Sequence, residues 1–212
     1  MNTSTSGNCT AFAGGRRVAT GELKAVALAV KTVVDQGDME AILVFDDTTS
    51  ALIELDLRGT PNDVAQRLEK TPAPDGAQNP PRGTSVPEHR GPGRPRLGVV
   101  AREVTLLPRH WDWLACQPGG ASVALRKLVD EARRAHAGKD RVRQAQEAAY
   151  RFMSAIAGHD VGFEEATRAL FAGDAKRFTG RLQAWPADVR QHAQKLAGPA
   201  FEPKPNADGS PR

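Results

Sequence analysis

The chain has 212 residues, 40% of them hydrophobic and only 5% aromatic, with a net charge of +4. This length admits one or two domains with a useful buried core. No apolar run reaches the roughly 18 residues of a membrane span, so no membrane partner is expected.

The polar opening Met1-Asn2-Thr3-Ser4-Thr5-Ser6-Gly7 lacks the basic head and apolar middle of a secretory signal. Cys9 and Cys116 fit neither a disulfide framework nor a metal-ligand spacing, and a reduced, cytoplasmic setting is expected. Charge is unevenly spread. Residues 1–81 carry 7 basic and 11 acidic side chains, residues 82–143 carry 13 and 6, and residues 144–212 carry 9 and 8. The surplus in the middle third would attract a polyanion with salt-sensitive affinity.

Residues 8–70 read as a small α/β unit of order β-β-α-β-β-α. Gly14-Gly15 between β-prone runs predicts a hairpin over Cys9–Val18. Leu23, Val26, Ala27, Val30, Val33 and Val34 have helical spacing, stopped by Gly37. Ile42-Leu43-Val44-Phe45 predicts a buried strand. The polar turn Asp46–Ser50 leads to alternation over Ala51–Leu57, with Ala51, Ile53, Leu55 and Leu57 on the apolar side, which predicts a second hairpin. Thr60-Pro61-Asn62-Asp63 opens another helix through Leu68. The carboxylates Asp46, Asp47, Glu54 and Asp56 suit an acidic turn and a solvent face, with no His or Gly-rich ligand loop beside them.

Residues 71–92 are rich in proline and glycine and predict a flexible linker. The stretch 93–141 combines the basic arm Gly93-Arg94-Pro95-Arg96, a β-prone run over Val99–Leu107 and two helical patterns. The first runs from Arg109 to Ala115. Gln117-Pro118-Gly119-Gly120 breaks it, and Ser122 is placed to cap the second, whose stripe is Val123, Leu125, Leu128, Val129 and Ala132. Trp111 and Trp113 cannot share one helix face; Trp113 is left for packing elsewhere or for stacking on a base. Residues 142–200 predict a helical subdomain: a stripe from Val142 to Ile156, then Phe163–Ala172, then a helix capped by Asp174, then one starting at Pro186. Residues 201–212 predict a disordered tail. The fold class is therefore α+β: a small antiparallel α/β unit, a flexible Pro/Gly linker, a central strand–helix–helix module and a C-terminal helical subdomain.

Gly93-Arg94-Pro95-Arg96 resembles the core of an AT-hook, an extended step that lies in a narrow A·T-rich minor groove. Strand, short helix, glycine turn and longer helix together resemble the ribbon-helix-helix fold over residues 93–136. That resemblance implies a homodimer whose paired strands enter the major groove and a phosphate held at the start of the second helix. The DNA-contacting residues that the two resemblances together imply are Arg94, Pro95, Arg96, Arg102, Thr105, Arg109, Ser122, Arg126 and Lys127. With Val104 and Leu106 facing inward, Glu103 and Thr105 face the groove; a slip of one residue turns Arg102 outward together with Val104 and Leu106.

The chain also resembles an uncharacterised bacterial family, domain of unknown function 2239. The residues that carry this run from Gly93 to Gly98, from Arg102 to Leu114, from Gln117 to Ser122 and from Leu125 to Arg133. That family implies no mechanism. A cytoplasmic, nucleoid-associated transcriptional regulator binding double-stranded DNA is the expected function, with no cofactor and an unknown small-molecule effector. A protein–protein adaptor is the alternative. No nucleophile–base pair, metal spacing or phosphate loop is recognisable, so no enzymatic activity is expected.

Overall fold

The computed structural model describes residues 7–37, 40–70 and 102–202. The chain divides into two compact units, one of Met1–Ala73 with His136–Arg212 and one of Pro74–Ala135. The arm Arg94-Pro95-Arg96, the linker 71–92 and the tail from 203 onward lie outside the described residues. The fold is α+β, with a three-stranded antiparallel sheet near the N-terminus followed by helices.

In the first unit, β1 (Asn8–Ala13) and β2 (Arg16–Glu22) form the expected hairpin, turning at Gly14 with φ +50°. Positive φ costs glycine little and a Cβ-bearing residue much more. β1 also pairs antiparallel with β3 (Ile42–Asp46), giving the order β2-β1-β3. The central strand is therefore buried on both faces. Cys9 and Ala11 pack with Val44 against Val26 and Val30 of α1 (Leu23–Asp35). Phe12, with Phe45 of β3, points the other way, into a core built by the C-terminal helices. α2 (Pro61–Lys70) packs on α1. It opens with a capping box in which Thr60 Oγ1 accepts from the Asp63 N–H, and an Asp63 carboxylate oxygen accepts from the Thr60 N–H at 2.8 Å.

The second hairpin does not form. Residues 51–57 make one isolated bridge, Phe45 with Leu52, flanked by bonds from the Asp46 N–H to the Ala51 carbonyl and from the Ile53 N–H to the Val44 carbonyl. Ile53, Leu55 and Leu57 still pack against the α1-side core. The backbone beyond Ile53 finds another partner: Arg67 of α2 donates to the carbonyls of Asp56 and Arg58. A guanidinium therefore satisfies acceptors that a ladder would have used.

The C-terminal helices follow the expected order: α5 (Phe163–Ala172), α6 (Ala175–Arg181), a short 3-10 turn at Leu182–Ala184, and α7 (Ala187–Ala197). Asp174 caps α6 as predicted, accepting from the Arg177 N–H at 2.9 Å. The two helices expected on either side of residue 141 are one, α4 (Gly120–Ala157). Only Gly138 interrupts the good helix formers there, and a single glycine costs about 1 kcal/mol against alanine. Asp140 and Glu147 flank Arg143 at helical spacing and support the same stretch. From the first unit, Phe152 of α4 sits between Phe12 and Phe45, with ring centroids 5.2 and 5.1 Å away. Sheet and C-terminal helices thus share one core.

In the second unit the two predicted helices are present, as α3 (Pro108–Ala115) and the start of α4. The β-prone run before them departs from expectation. Residues 102–107 form no strand, and residues 99–101 lie outside the described residues. Leu107 is extended, with φ −68° and ψ 150°, but a strand needs a ladder partner, and none pairs with 102–107 among the described residues.

Candidate functional site

The helix pair of the second unit is set by Pro108 at the first position of α3 and by the turn after Cys116. Gly119 and Gly120 both take positive φ, +85° and +77°. A Cβ on Gly119 would meet Val123 at 3.2 Å. Within this unit Leu114 and Ala124 are buried. Val104, Leu107, Trp111, Trp113, Leu128 and Val129 are between 42% and 54% exposed.

The polar side chains singled out from sequence are also at the surface. Arg102 and Thr105 lie on the extended segment, Arg109 on α3, and Ser122, Arg126 and Lys127 on the first two turns of α4, all exposed. Ser122 and Arg126 are brought together, with guanidinium N–H groups donating to the Ser122 hydroxyl and carbonyl, each at 3.1 Å. Ser122 is not a cap: α4 begins two residues earlier, at Gly120, so its hydroxyl sits inside the first turn. Lys127 lines a shallow groove of about 180 Å³ with Trp113, Gln117, Pro118, Ala124 and Leu128. Arg94, Pro95 and Arg96 lie outside the described residues.

A second polar constellation, in the first unit, was not legible in the sequence. Asp47, at the turn after β3, accepts from Thr10 Oγ1 at 2.6 Å and from Lys195 Nζ at 2.8 Å. Thr10 has given its one proton to Asp47, so the Thr20 hydroxyl donates to Thr10 across the hairpin at 3.2 Å. Burial alone would raise the Asp47 carboxyl. The bonds from Lys195 and Thr10, with the Lys195 charge, outweigh it and hold the group below the ordinary carboxylate value. His192, one turn before Lys195, is 2% exposed and packs edge-on to Phe12 and tilted to Phe152, with ring centroids 5.3 and 4.6 Å away. Burial pushes its imidazole down to about 4, the charges of Lys195 and Arg17 adding to the effect and Asp47 opposing it.

Asp46 and Asp56 have structural partners. Asp46 accepts from the N–H groups of Thr48 and Thr49 and shapes the turn, and Asp56 pairs with Arg58 and Arg67. Among the described residues no group of three or more His, Cys, Asp or Glu is placed to hold a metal ion. No described helix is long and apolar enough to cross a membrane. Cys9, buried between the sheet and α1, has its thiol pushed up to about 11 by burial and by Asp47 and Asp46. That thiol is not a ready nucleophile.

A family model for uncharacterized proteins conserved in bacteria matches residues 8–197, from the first residue of β1 to the last of α7. The chain belongs to this family, domain of unknown function 2239. For the family the match takes in the sheet, the helix pair and the C-terminal helices together. No curated protein and no solved structure matches the chain.

Proposed function

We propose that the chain binds double-stranded DNA as a homodimer, in the manner of a bacterial transcriptional regulator. One observation carries the reading: a small helix pair shows basic Arg109, Arg126 and Lys127 beside uncovered Val104, Leu107, Trp111, Leu128 and Val129. Two helices burying little more than Leu114 and Ala124 have scant core of their own. Apolar side chains left uncovered on so small a unit call for a second layer. A second copy supplies one, and two 102–107 segments side by side would satisfy each other's backbone groups. The basic surplus of residues 82–143, doubled in the dimer, then faces the phosphate backbone.

The test is titration of labelled duplex DNA with the full-length protein across a salt series, together with its mass in solution. A dimer that binds at low salt is expected. Arg126→Ala and Lys127→Ala should each weaken binding across sequences and lower the salt slope by about one. Arg94→Ala with Arg96→Ala should do the same for the arm. A strict monomer with no affinity for duplex DNA at low salt removes the reading.

A protein–protein adaptor is the second reading. It is favoured by the exposed rings of Tyr150 and Phe171 in the first unit, 5.9 Å apart, which line an open groove with Glu147, Arg151, Ser154 and Ala155. Aromatic side chains are common anchors at protein interfaces. One stoichiometric protein partner that survives nuclease treatment and is lost with Tyr150→Ala would favour it.

A further inference from the structure

We propose that the hollow between the turn after β3, α4 and α7 is a binding site for a short-chain organic carboxylate, with Arg141, Gln144 and Lys195 holding the carboxylate. The hollow, about 200 Å³, is lined by Asp47 and Thr48 of the turn, by Arg141, Gln144, Ala145 and Ala148 of α4, and by Lys195, Leu196 and Pro199. All of it lies in the first unit. An open hollow of this size suits the head and short tail of a small ligand.

Its polar rim is rich in donors. Asp47 has both carboxylate oxygens engaged, by Thr10 and by Lys195. Lys195 spends one of three N–H donors on that bond, and Arg141 places one guanidinium nitrogen on Glu202 at 2.7 Å. The Gln144 side-chain amide makes no hydrogen bond within the described residues. Open donors therefore outnumber open acceptors, the condition for holding an oxyanion. The Arg141–Glu202 pair is solvent-exposed, at 61% and 50%. Such pairs contribute little, so a ligand carboxylate can replace Glu202 on the guanidinium at small cost.

The floor decides the rest of the ligand. Ala145, Ala148 and Leu196 are buried, and the two alanines, three residues apart, leave space on one face of α4. An alkyl tail resting there leaves water. Inorganic phosphate meets the rim but has nothing for the floor.

The experiment is a titration of the full-length, 15N-labelled protein with butyrate, acetate and inorganic phosphate at constant ionic strength, read by NMR. Butyrate should saturably shift the Gln144 side-chain amide and the Thr48 and Ala145 backbone amides. It should bind about tenfold more tightly than acetate, because two methylenes are buried. Arg141→Gln, at an exposed position, should weaken butyrate by roughly tenfold through loss of the charged donor. Ala145→Leu should abolish binding by filling the hollow; if that variant fails to fold, Gln144→Leu at the exposed rim should lower affinity instead. No saturable shift with butyrate, equal shifts from all three anions, or undiminished binding in Arg141→Gln would each overturn the proposal. None of these outcomes bears on the DNA contacts tested at Arg94, Arg96, Arg126 and Lys127, which lie elsewhere in the chain.

Discussion

Lys195 Nζ lies 2.8 Å from Asp47 Oδ2, joining residues 148 positions apart. Asp47 in turn holds Thr10 of the central strand, so one carboxylate fastens β1, the turn after β3 and α7. Nearby, Arg151 of α4 donates to the Thr49 carbonyl of the same turn, and Asp188 of α7 accepts from the Arg17 N–H of β2 at 2.9 Å. The sheet is thus held to the helices by polar contacts around an aromatic core.

Replacing Lys195 with methionine should cost about 1 kcal/mol near neutral pH, since the ammonium is half exposed and its bond is charge-assisted. The cost should shrink in acid. The folded Asp47 carboxyl lies below its ordinary value, so its contribution is complete above the unfolded pKa and is lost as pH falls through the lower, folded one. Urea midpoints of both proteins at pH 7 and pH 3 check this. A gap that fails to narrow would sink the electrostatic account.

His192 should make the fold acid-sensitive in a higher window. Its folded pKa of about 4 lies below the ordinary histidine value of 6.5. Below 6.5 the unfolded chain therefore takes a proton that the native core refuses. Stability from this group is full above 6.5 and falls toward 4, with a slope of at most about 1.4 kcal/mol per pH unit. The buried Nε2 has no hydrogen-bond partner among the described residues, so His192→Leu should be tolerated at pH 7 and should flatten the slope between pH 4 and 6.5. Unchanged acid sensitivity in the variant would refute this role.

Phe152→Ala should cost about 3–5 kcal/mol, the range for emptying a fully buried aromatic site. Because Phe152 touches both Phe12 and Phe45, sheet and helices should lose stability together. Amide exchange in β1 and in α7 should accelerate by similar factors. Acceleration confined to one element would mean that the two halves of the core fold independently.

Gly119→Ala should loosen the helix pair of the second unit by about 1 kcal/mol or more. Its φ of +85° disfavours a Cβ, and the added carbon would press on Val123 at 3.2 Å. DNA affinity should fall while the urea midpoint of the first unit stays constant. Equal loss in both units would show that the effect is not local.

Local pattern was enough to place much of this fold. Gly14-Gly15 gave the hairpin, the spacing from Leu23 to Val34 gave α1, Thr60 and Asp63 gave the α2 start, and Asp174 gave the α6 cap. In each case the decisive interaction lies within a few residues. The faces were legible too: Ile53, Leu55 and Leu57 pack inward as their alternation predicts, although no strand carries them.

Backbone partners were another matter. Whether residues 51–57 join a ladder depends on Arg67, which reaches their end from a different helix. Whether residues 102–107 pair depends on a strand that the described chain does not provide. The expected break in α4 failed because one glycine was too weak a stop against its flanking helix formers. The polar constellation joins Thr10, Asp47 and Lys195 from three distant segments, and no spacing announces it. Sequence periodicity records which side of an element avoids water, because that choice is made residue by residue. Which groups meet across the fold is set by packing and hydrogen bonding between remote segments, and only the tertiary structure decided that.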